Sequence, residues 1–195
     1  IILRINEMKR YILENGISIM WLTAPLFNVI ADESPETFKR LRYLLIGGDV
    51  LSPKHVNLVL DECENLNIIN GYGPTENTTF STYFEIDGEY DNDIPIGKPI
   101  NNSTAYILDK NNLLVPIGVS GELSLGGDGL ARGYLNDPEL TREKFVDNPY
   151  LPGKKIYKSG DLARWTSDGN IEFLGRMDHQ VKIRGFRIEI SEIEK

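Results

Sequence analysis

Between residues 41 and 73 the chain runs LRYLLIGG, SPKHVNLVLDEC and LNIINGYG: an apolar run closing on a glycine pair, a helix-patterned stretch, then a second apolar run closing on Gly-Tyr-Gly. Two short apolar strands either side of a helix imply a parallel pair joined by a crossover, because parallel neighbours cannot be linked by a tight hairpin. Ser52 is placed as N-cap and Pro53 as the first helical residue, where its missing N–H costs nothing. The same rhythm starts earlier. Residues 3–15 space Leu3, Ile5, Met8, Tyr11 and Ile12 at helical intervals up to Gly16, and ISIMWL reads as a strand before a helix from about Ala24 to Ala31. The expectation for this part is a parallel α/β sheet.

After about Phe80 the texture changes. IPIGKPI, AYILD, GELSLGG, KIYKSGDLARW, GNIEFLGR and VKIRGFRIEI are short strands separated by Gly, Asn, Asp and Pro turns, with one helix near DPELTREKF. This half is expected to be mostly β, a curled sheet or distorted barrel. The domain expectation is 1–84 for the end of an α/β subdomain, 85–177 for a β-rich one, and 178–195 for a hinge and the start of a small lobe.

The chain carries 29 Asp and Glu against 21 Lys and Arg. A general grip on nucleic acid or on an anionic membrane is therefore not expected, and an anionic ligand would need a local site. No segment has the apolar length of a membrane span. The single cysteine, Cys63, excludes an internal disulfide and is expected to pack on a helix. The expected location is the cytoplasm. His55 and His179 are too far apart in sequence to suggest a metal pair, and no Ser-His-Asp or Cys-His arrangement is readable.

Four stretches could carry chemistry. In NGYGPTE (70–76) the glycines permit close backbone approach to a ligand and Pro74 stiffens the loop. Tyr72 offers a flat face for a planar base, Thr75 a hydroxyl for a phosphate oxygen and Glu76 a carboxylate for a hard cation; the bland alternative is a turn with Tyr72 in the core. GGDGLARGY (126–134) lacks the spacing and terminal lysine of a nucleotide-binding loop, so a tight connecting loop is the reading it supports. In YKSGDLARW, Asp161 follows a glycine at an expected strand end, suited to two vicinal hydroxyls such as a ribose presents, or to closing its own turn. GRMDHQVKIRGFRIE sets Arg176, Lys182, Arg184 and Arg187 with Asp178, which reads either as an anion-facing edge or as a charged, protected edge strand.

In order, LTAPLFN, LLIGGDVLSP, NGYGPTENTTFST, IPIGKPINN, GELSLGGDGLARGYLNDPELTREKFV, YKSGDLARW and GRMDHQVKIRGFRIEISEIE resemble the successive core motifs of the adenylate-forming superfamily. The resemblance is nearest to amino-acid adenylation domains of nonribosomal peptide synthetases (NRPS), and it covers essentially the whole chain. It implies an ATP site in a cleft between a large and a small lobe. Tyr72 would stack on adenine, with Gly48 and the Asn70 backbone lining the base. Thr75 would touch the α-phosphate and Glu76 would hold Mg²⁺. Asp161 would bind the ribose hydroxyls, Phe173 would pack near the nucleotide, and Arg176 would contact ribose or phosphate. Asp178 would be the hinge and Lys182 would reach back to the nucleotide. Leu45, Gly47, Gly71, Thr79 and Phe80, with Pro25 nearby, would wall the substrate side-chain pocket.

The implied reaction is attack of an amino acid carboxylate on the α-phosphorus of ATP, giving an aminoacyl adenylate and pyrophosphate. The acyl group would then pass to the phosphopantetheine thiol of a peptidyl carrier protein (PCP) domain, among neighbouring synthetase domains and in antibiotic biosynthesis. The alternatives are an acyl-CoA or aryl-acid ligase of the same superfamily, or a non-catalytic truncated nucleotide-binding piece. The family's Ser/Thr/Gly-rich phosphate loop and the small lobe's catalytic lysine have no match here, Lys195 included, so residues 1–195 alone are expected to be at best defective. The amino acid activated is not legible.

Overall fold

In a computed structural model that describes residues 4–178, 181–183 and 186–188, the chain divides into two compact units. The first is built mainly from residues 4–71 with Glu85–Ile94, the second from Tyr72–Phe84 with 95–178.

The first unit opens on α1 (Ile5–Glu14), whose Ile5 and Ile12, two turns apart, are both buried. Tyr11, expected on that face, is instead 61% exposed, because one residue of helix turns it a hundred degrees or so from Ile12. The helix ends at Asn15, followed by Gly16 in the left-handed region that glycine tolerates. Strands β1 (Ile19–Thr23), β2 (Tyr43–Gly47) and β3 (Asn67–Tyr72) pair in parallel. Their register aligns Thr23, Gly47 and Gly71, so their carboxyl ends finish flush. That is the edge where open α/β sheets bind ligands.

The crossovers are α2 (Ala24–Glu33) and α3 (Pro53–Glu62). Phe27 and Ile30 of α2, Val56 and Val59 of α3, and Leu44, Ile46 and Ile68 of the strands are all essentially inaccessible. Each such side chain contributes roughly 1.5–3 kcal/mol by leaving water. Ser52 is the N-cap of α3 as expected, yet its hydroxyl makes no cap bond. It lies 2.7 Å from His55 Nδ1, while His55 Nε2 lies 3.0 Å from Asp32 Oδ2, so the cap region ties α3 to the end of α2. Cys63 does not sit on the helix; it is the residue just past it, buried, with Sγ 3.5 Å from the Pro35 carbonyl.

β4 (Thr82–Ile86), of which Thr82–Phe84 belong to the second unit, meets β5 (Lys98–Pro99) antiparallel through Thr82 and Tyr83. Only that much of IPIGKPI is strand; its Ile94 and Ile96 are buried in irregular backbone. A curled antiparallel sheet follows, from β6 (Ser103–Leu108), β7 (Gly121–Gly127), β8 (Phe145–Asp147), β9 (Lys155–Trp165) and β10 (Ile171–Arg176). Before β8 runs α4 (Pro138–Lys144), whose N-cap Asp137 accepts the Leu140 N–H at 2.9 Å. One edge of β9 follows β7; the other pairs with β8 over residues 155–157 and with β10 over 161–165. Ile107, Leu123, Leu125, Ala163 and Ile171 form the core, and Tyr72, Trp165 and Phe173 pack against it. Two further strands, β11 (Val181–Ile183) and β12 (Phe186–Ile188), pair with each other. No helix among the described residues is long and apolar enough to cross a membrane.

Candidate active site

The second unit gathers most of the predicted nucleotide residues. Tyr72, the last residue of β3, points its hydroxyl at the Asp161 carboxylate, and its ring lies 6.5 Å from Phe173 at a tilt of 36°. Burial, reinforced by the Asp161 charge, raises the Tyr72 phenol well above its ordinary range, so it stays a donor. Asp161 in turn accepts Arg176 Nη1 at 2.8 Å, and the two side chains are only 10% and 19% exposed. Arg176 also donates to the Ser159 carbonyl at 2.8 Å and, through Nε at 2.9 Å and through Nη2, to Asp178. Burial works against the Arg176 charge, but the hydrogen bonds to Asp178 and the Asp161 charge outweigh it, and the guanidinium is held charged more firmly than in water.

Asp161 was expected at a strand end. It stands instead inside the 11-residue β9, at a bulge. Bulges re-aim a side chain without ending the strand, which is how an interior residue comes to face Tyr72 and Arg176.

Thr75 and Glu76 occupy a single 3-10 turn, Thr75–Asn77, with Thr75 exposed and Glu76 7% exposed. Thr78 and Thr79 then take positive φ angles of 46° and 62°. The conformation is held by the Thr78 hydroxyl on the Gly129 carbonyl at 2.7 Å, the Ser81 N–H on Tyr72 O at 2.8 Å, and Asn77 Nδ2 on Ser81 Oγ at 2.8 Å. After Gly126 and Gly127, which end β7, GGDGLARGY is a loop as expected, but it does more than connect. Its Ala131 N–H donates to the Glu76 carbonyl at 2.8 Å, and the hydroxyl of Tyr134 donates to Glu76 Oε1 at 2.6 Å. Burial and the Glu76 contact push the Tyr134 phenol far up. No spacing rule flags Tyr134, because the partner it reaches is 58 residues away.

Among the described residues no group of three or more His, Cys, Asp or Glu could cage a metal. The carboxylate of Glu76 suits Mg²⁺, which takes one or two carboxylates and completes its shell with water and phosphate oxygens.

In the first unit, Gly47 and Gly71 are buried register partners, Leu45 is half-buried opposite Ile69, and Asn70 is 4% exposed opposite Ile46. Gly48 follows, exposed, at a φ of 80°. Pro25 starts α2. Thr79 and Phe80, assigned to the same pocket, belong to the second unit, exposed and half-buried respectively. Asp178, assigned as hinge, is 44% exposed and paired with Arg176. The side chain of Lys182, like His179 and Arg184, lies outside the described residues.

A parallel α/β portion followed by a curled antiparallel sheet is the fold of adenylation domains. The chain superposes on holo-PA1221, an NRPS protein containing adenylation and PCP domains bound to a vinylsulfonamide inhibitor, with a TM-score of 0.93 and 41% identity over 98% of this chain and 34% of that one. It matches NpsA-ThdA, an artificially fused adenylation-PCP di-domain NRPS from Klebsiella oxytoca, with a TM-score of 0.90 and 30% identity over 99% of this chain and 36% of that one. The chain belongs to the AMP-binding enzyme family, whose match spans residues 3–135. It is 59% identical over its whole length to part of Gramicidin S synthase 2 of Brevibacillus brevis, and 58% identical over 97% of its length to part of Surfactin synthase subunit 2 of Bacillus subtilis. It spans only 4% and 5% of those relatives.

Proposed function

We propose that the chain is the part of an NRPS adenylation domain that binds ATP and activates an amino acid as its aminoacyl adenylate, for transfer to the phosphopantetheine thiol of a PCP domain in the same cytoplasmic assembly. The observation that carries this is the Tyr72, Asp161, Arg176 and Phe173 cluster: an aromatic pair beside a carboxylate locked by a guanidinium, the donor set a nucleoside requires. In this reading Tyr72 stacks on the base, Phe173 packs near the nucleotide and Asp161 accepts the ribose hydroxyls. Arg176 holds Asp161 in place and adds positive charge toward the phosphates. Thr75, exposed on its turn, donates to the α-phosphate. Glu76, held by Tyr134, presents its carboxylate toward Mg²⁺, which when bound neutralises phosphate oxygens as pyrophosphate leaves. The rest of the rate comes from positioning, as in other transfers at phosphorus.

In the first unit, the flush glycines Gly47 and Gly71 leave space beside Leu45 for the substrate side chain. The amino acid itself is supported by the peptide synthetases among the relatives, Gramicidin S synthase 2 and Surfactin synthase subunit 2. The test is pyrophosphate exchange by the full-length protein against a panel of amino acids and aryl acids. Exchange with one or a few amino acids is expected. Exchange only with aryl acids moves the reading to that branch, and none at all overturns it.

A further inference from the structure

The carboxylate of Asp161 is aimed by an irregularity in β9 that needs a support outside β9. Between the pairs Glu122↔Leu162 and Ser124↔Lys158 the register slips, so Ser159, Gly160 and Asp161 together face Leu123. On the other edge β10 slips as well, between Phe173 and Gly175. Bulged residues have lost their ladder partners and must find others. The Ser159 hydroxyl donates to the Leu123 carbonyl at 2.5 Å and accepts the Asp161 N–H at 3.0 Å. The Gly160 carbonyl accepts the Met177 N–H at 2.8 Å. The Gly160 N–H donates to Glu122 Oε1 at 3.1 Å, and the other oxygen of Glu122 lies 3.1 Å from Lys158 Nζ.

Gly160 has a φ of 72°, and a Cβ there would lie 2.9 Å from Arg176 Nη2. The chain before Asp161 thus takes a left-handed bend that favours glycine, and β7 holds it through the Glu122 carboxylate on the Gly160 N–H and the Leu123 carbonyl on the Ser159 hydroxyl. Glu122 and Lys158 are largely shielded, with side chains 15% and 26% exposed, and both line an open cavity of about 250 Å³. A charge-assisted bond from a shielded carboxylate to a backbone N–H is stronger than a neutral one and resists replacement by water.

We propose that Glu122, locked by Lys158, is a positioning residue that fixes the Ser159–Gly160 peptide and, through the turn at Gly160, the direction of the Asp161 carboxylate, setting how well the enzyme reads the ribose hydroxyls of its nucleotide. This rests on the reading that Asp161 takes those hydroxyls. A group held to a fraction of an ångström loses discrimination when its support relaxes.

The experiment compares Glu122→Ala, Glu122→Gln and Lys158→Met with the unmodified full-length protein. It reads kcat/KM for ATP and for 2′-deoxy-ATP in pyrophosphate exchange, KM for the amino acid, and thermal unfolding. Binding of AMP and 2′-deoxy-AMP is read in parallel by calorimetry. Glu122→Ala is expected to lower the preference for ATP over 2′-deoxy-ATP about tenfold, the worth of roughly one hydrogen bond to a charged group, with the amino acid KM unchanged. Glu122→Gln keeps an acceptor for the Gly160 N–H and is expected to retain most of the preference, and Lys158→Met to fall between. Equal losses with both nucleotides, or an unchanged ratio in Glu122→Ala, overturn the proposal. An unmodified protein that does not distinguish the two nucleotides overturns the ribose reading and this inference with it. Absence of exchange with preserved AMP discrimination sinks the function above while leaving this inference to be decided by the binding ratios.

Discussion

Thr78 and Thr79 hold two β-branched side chains in the left-handed region, which costs roughly 1–2 kcal/mol per residue through the clash of Cβ with the carbonyl. Strain of this kind persists where surrounding bonds overdetermine the backbone, and it clusters at functional loops. The two threonines differ in what they return. Thr78 donates to Gly129 O, whereas no hydrogen bond is recorded for the Thr79 hydroxyl among the described residues. Thr79→Gly is therefore expected to stabilise by up to about 1 kcal/mol, after glycine's extra chain entropy of roughly 0.5–1 kcal/mol is subtracted. Thr78→Gly loses a hydrogen bond of about 1 kcal/mol and gains nothing net. Urea midpoints of the two variants check this; equal shifts would show that the strain is not where the φ angles place it. Tyr134 belongs to the same scale. Tyr134→Phe removes a donor from a buried carboxylate and is expected to cost about 1.5–3 kcal/mol in the same titration, with a parallel fall in exchange activity. Tyr72, Thr75 and Glu76 could be proposed from sequence because their chemistry sits in one short run of it. Tyr134 could not, because its part in holding Glu76 exists only once two distant loops meet.

At the level of elements, the strands and crossovers followed from apolar periodicity and capping residues. Ser52-Pro53 marked the start of α3 correctly, and the helix expected near DPELTREKF is α4. What periodicity does not carry is register. The two slips that bring Asp161 opposite Arg176 leave no trace in an alternating pattern, so Asp161 read as a strand end and not as an interior bulge. A second unforeseen link joins α1 to the short 3-10 turn Pro35–Phe38, through Lys9 Nζ and Glu36 Oε1 at 2.8 Å. The Lys9 hydrogen bond, with help from Ser34, pushes the Glu36 carboxyl down to about 2 from an ordinary 4.5. The folded-state value is depressed, so this link's contribution is fully present above pH 4.5 and is lost as the pH falls toward 2. Glu36 is 39% exposed, and solvent screening keeps the effect small. Lys9→Met is expected to lower the unfolding temperature slightly at neutral pH and hardly at all near pH 2, so that the acid limb between those values is flattened. A loss of equal size at pH 7 and pH 3 would count against the link.

For the molecule as a whole, identity of 59% to a stretch amounting to 4% of Gramicidin S synthase 2 sets the frame: this chain is similar to one portion of one module in a far larger machine. Its integrity is best followed from inside, and Cys63, the single cysteine, offers a reporter. Burial pushes its thiol up to about 11, with the neighbouring Lys39 charge pulling the other way and not prevailing. Alkylating reagents attack the thiolate and need access to it, and at pH 8 the folded first unit supplies little of either. Modification then proceeds through opening of the core around Phe38, Val59 and Cys63, which is buried throughout. When opening and closing are fast compared with the chemistry, the rate measures the population of the open form. The labelling rate at pH 8 is expected to be orders of magnitude below that of a free thiol and to rise with urea along the far-ultraviolet circular dichroism transition. A Val59→Ala variant, which opens a cavity beside it at a cost of roughly 2–4 kcal/mol, is expected to raise the native-state rate by the corresponding factor. Prompt labelling of the unmodified protein without denaturant would show that Cys63 opens locally and that the first unit's core does not close over the end of α3.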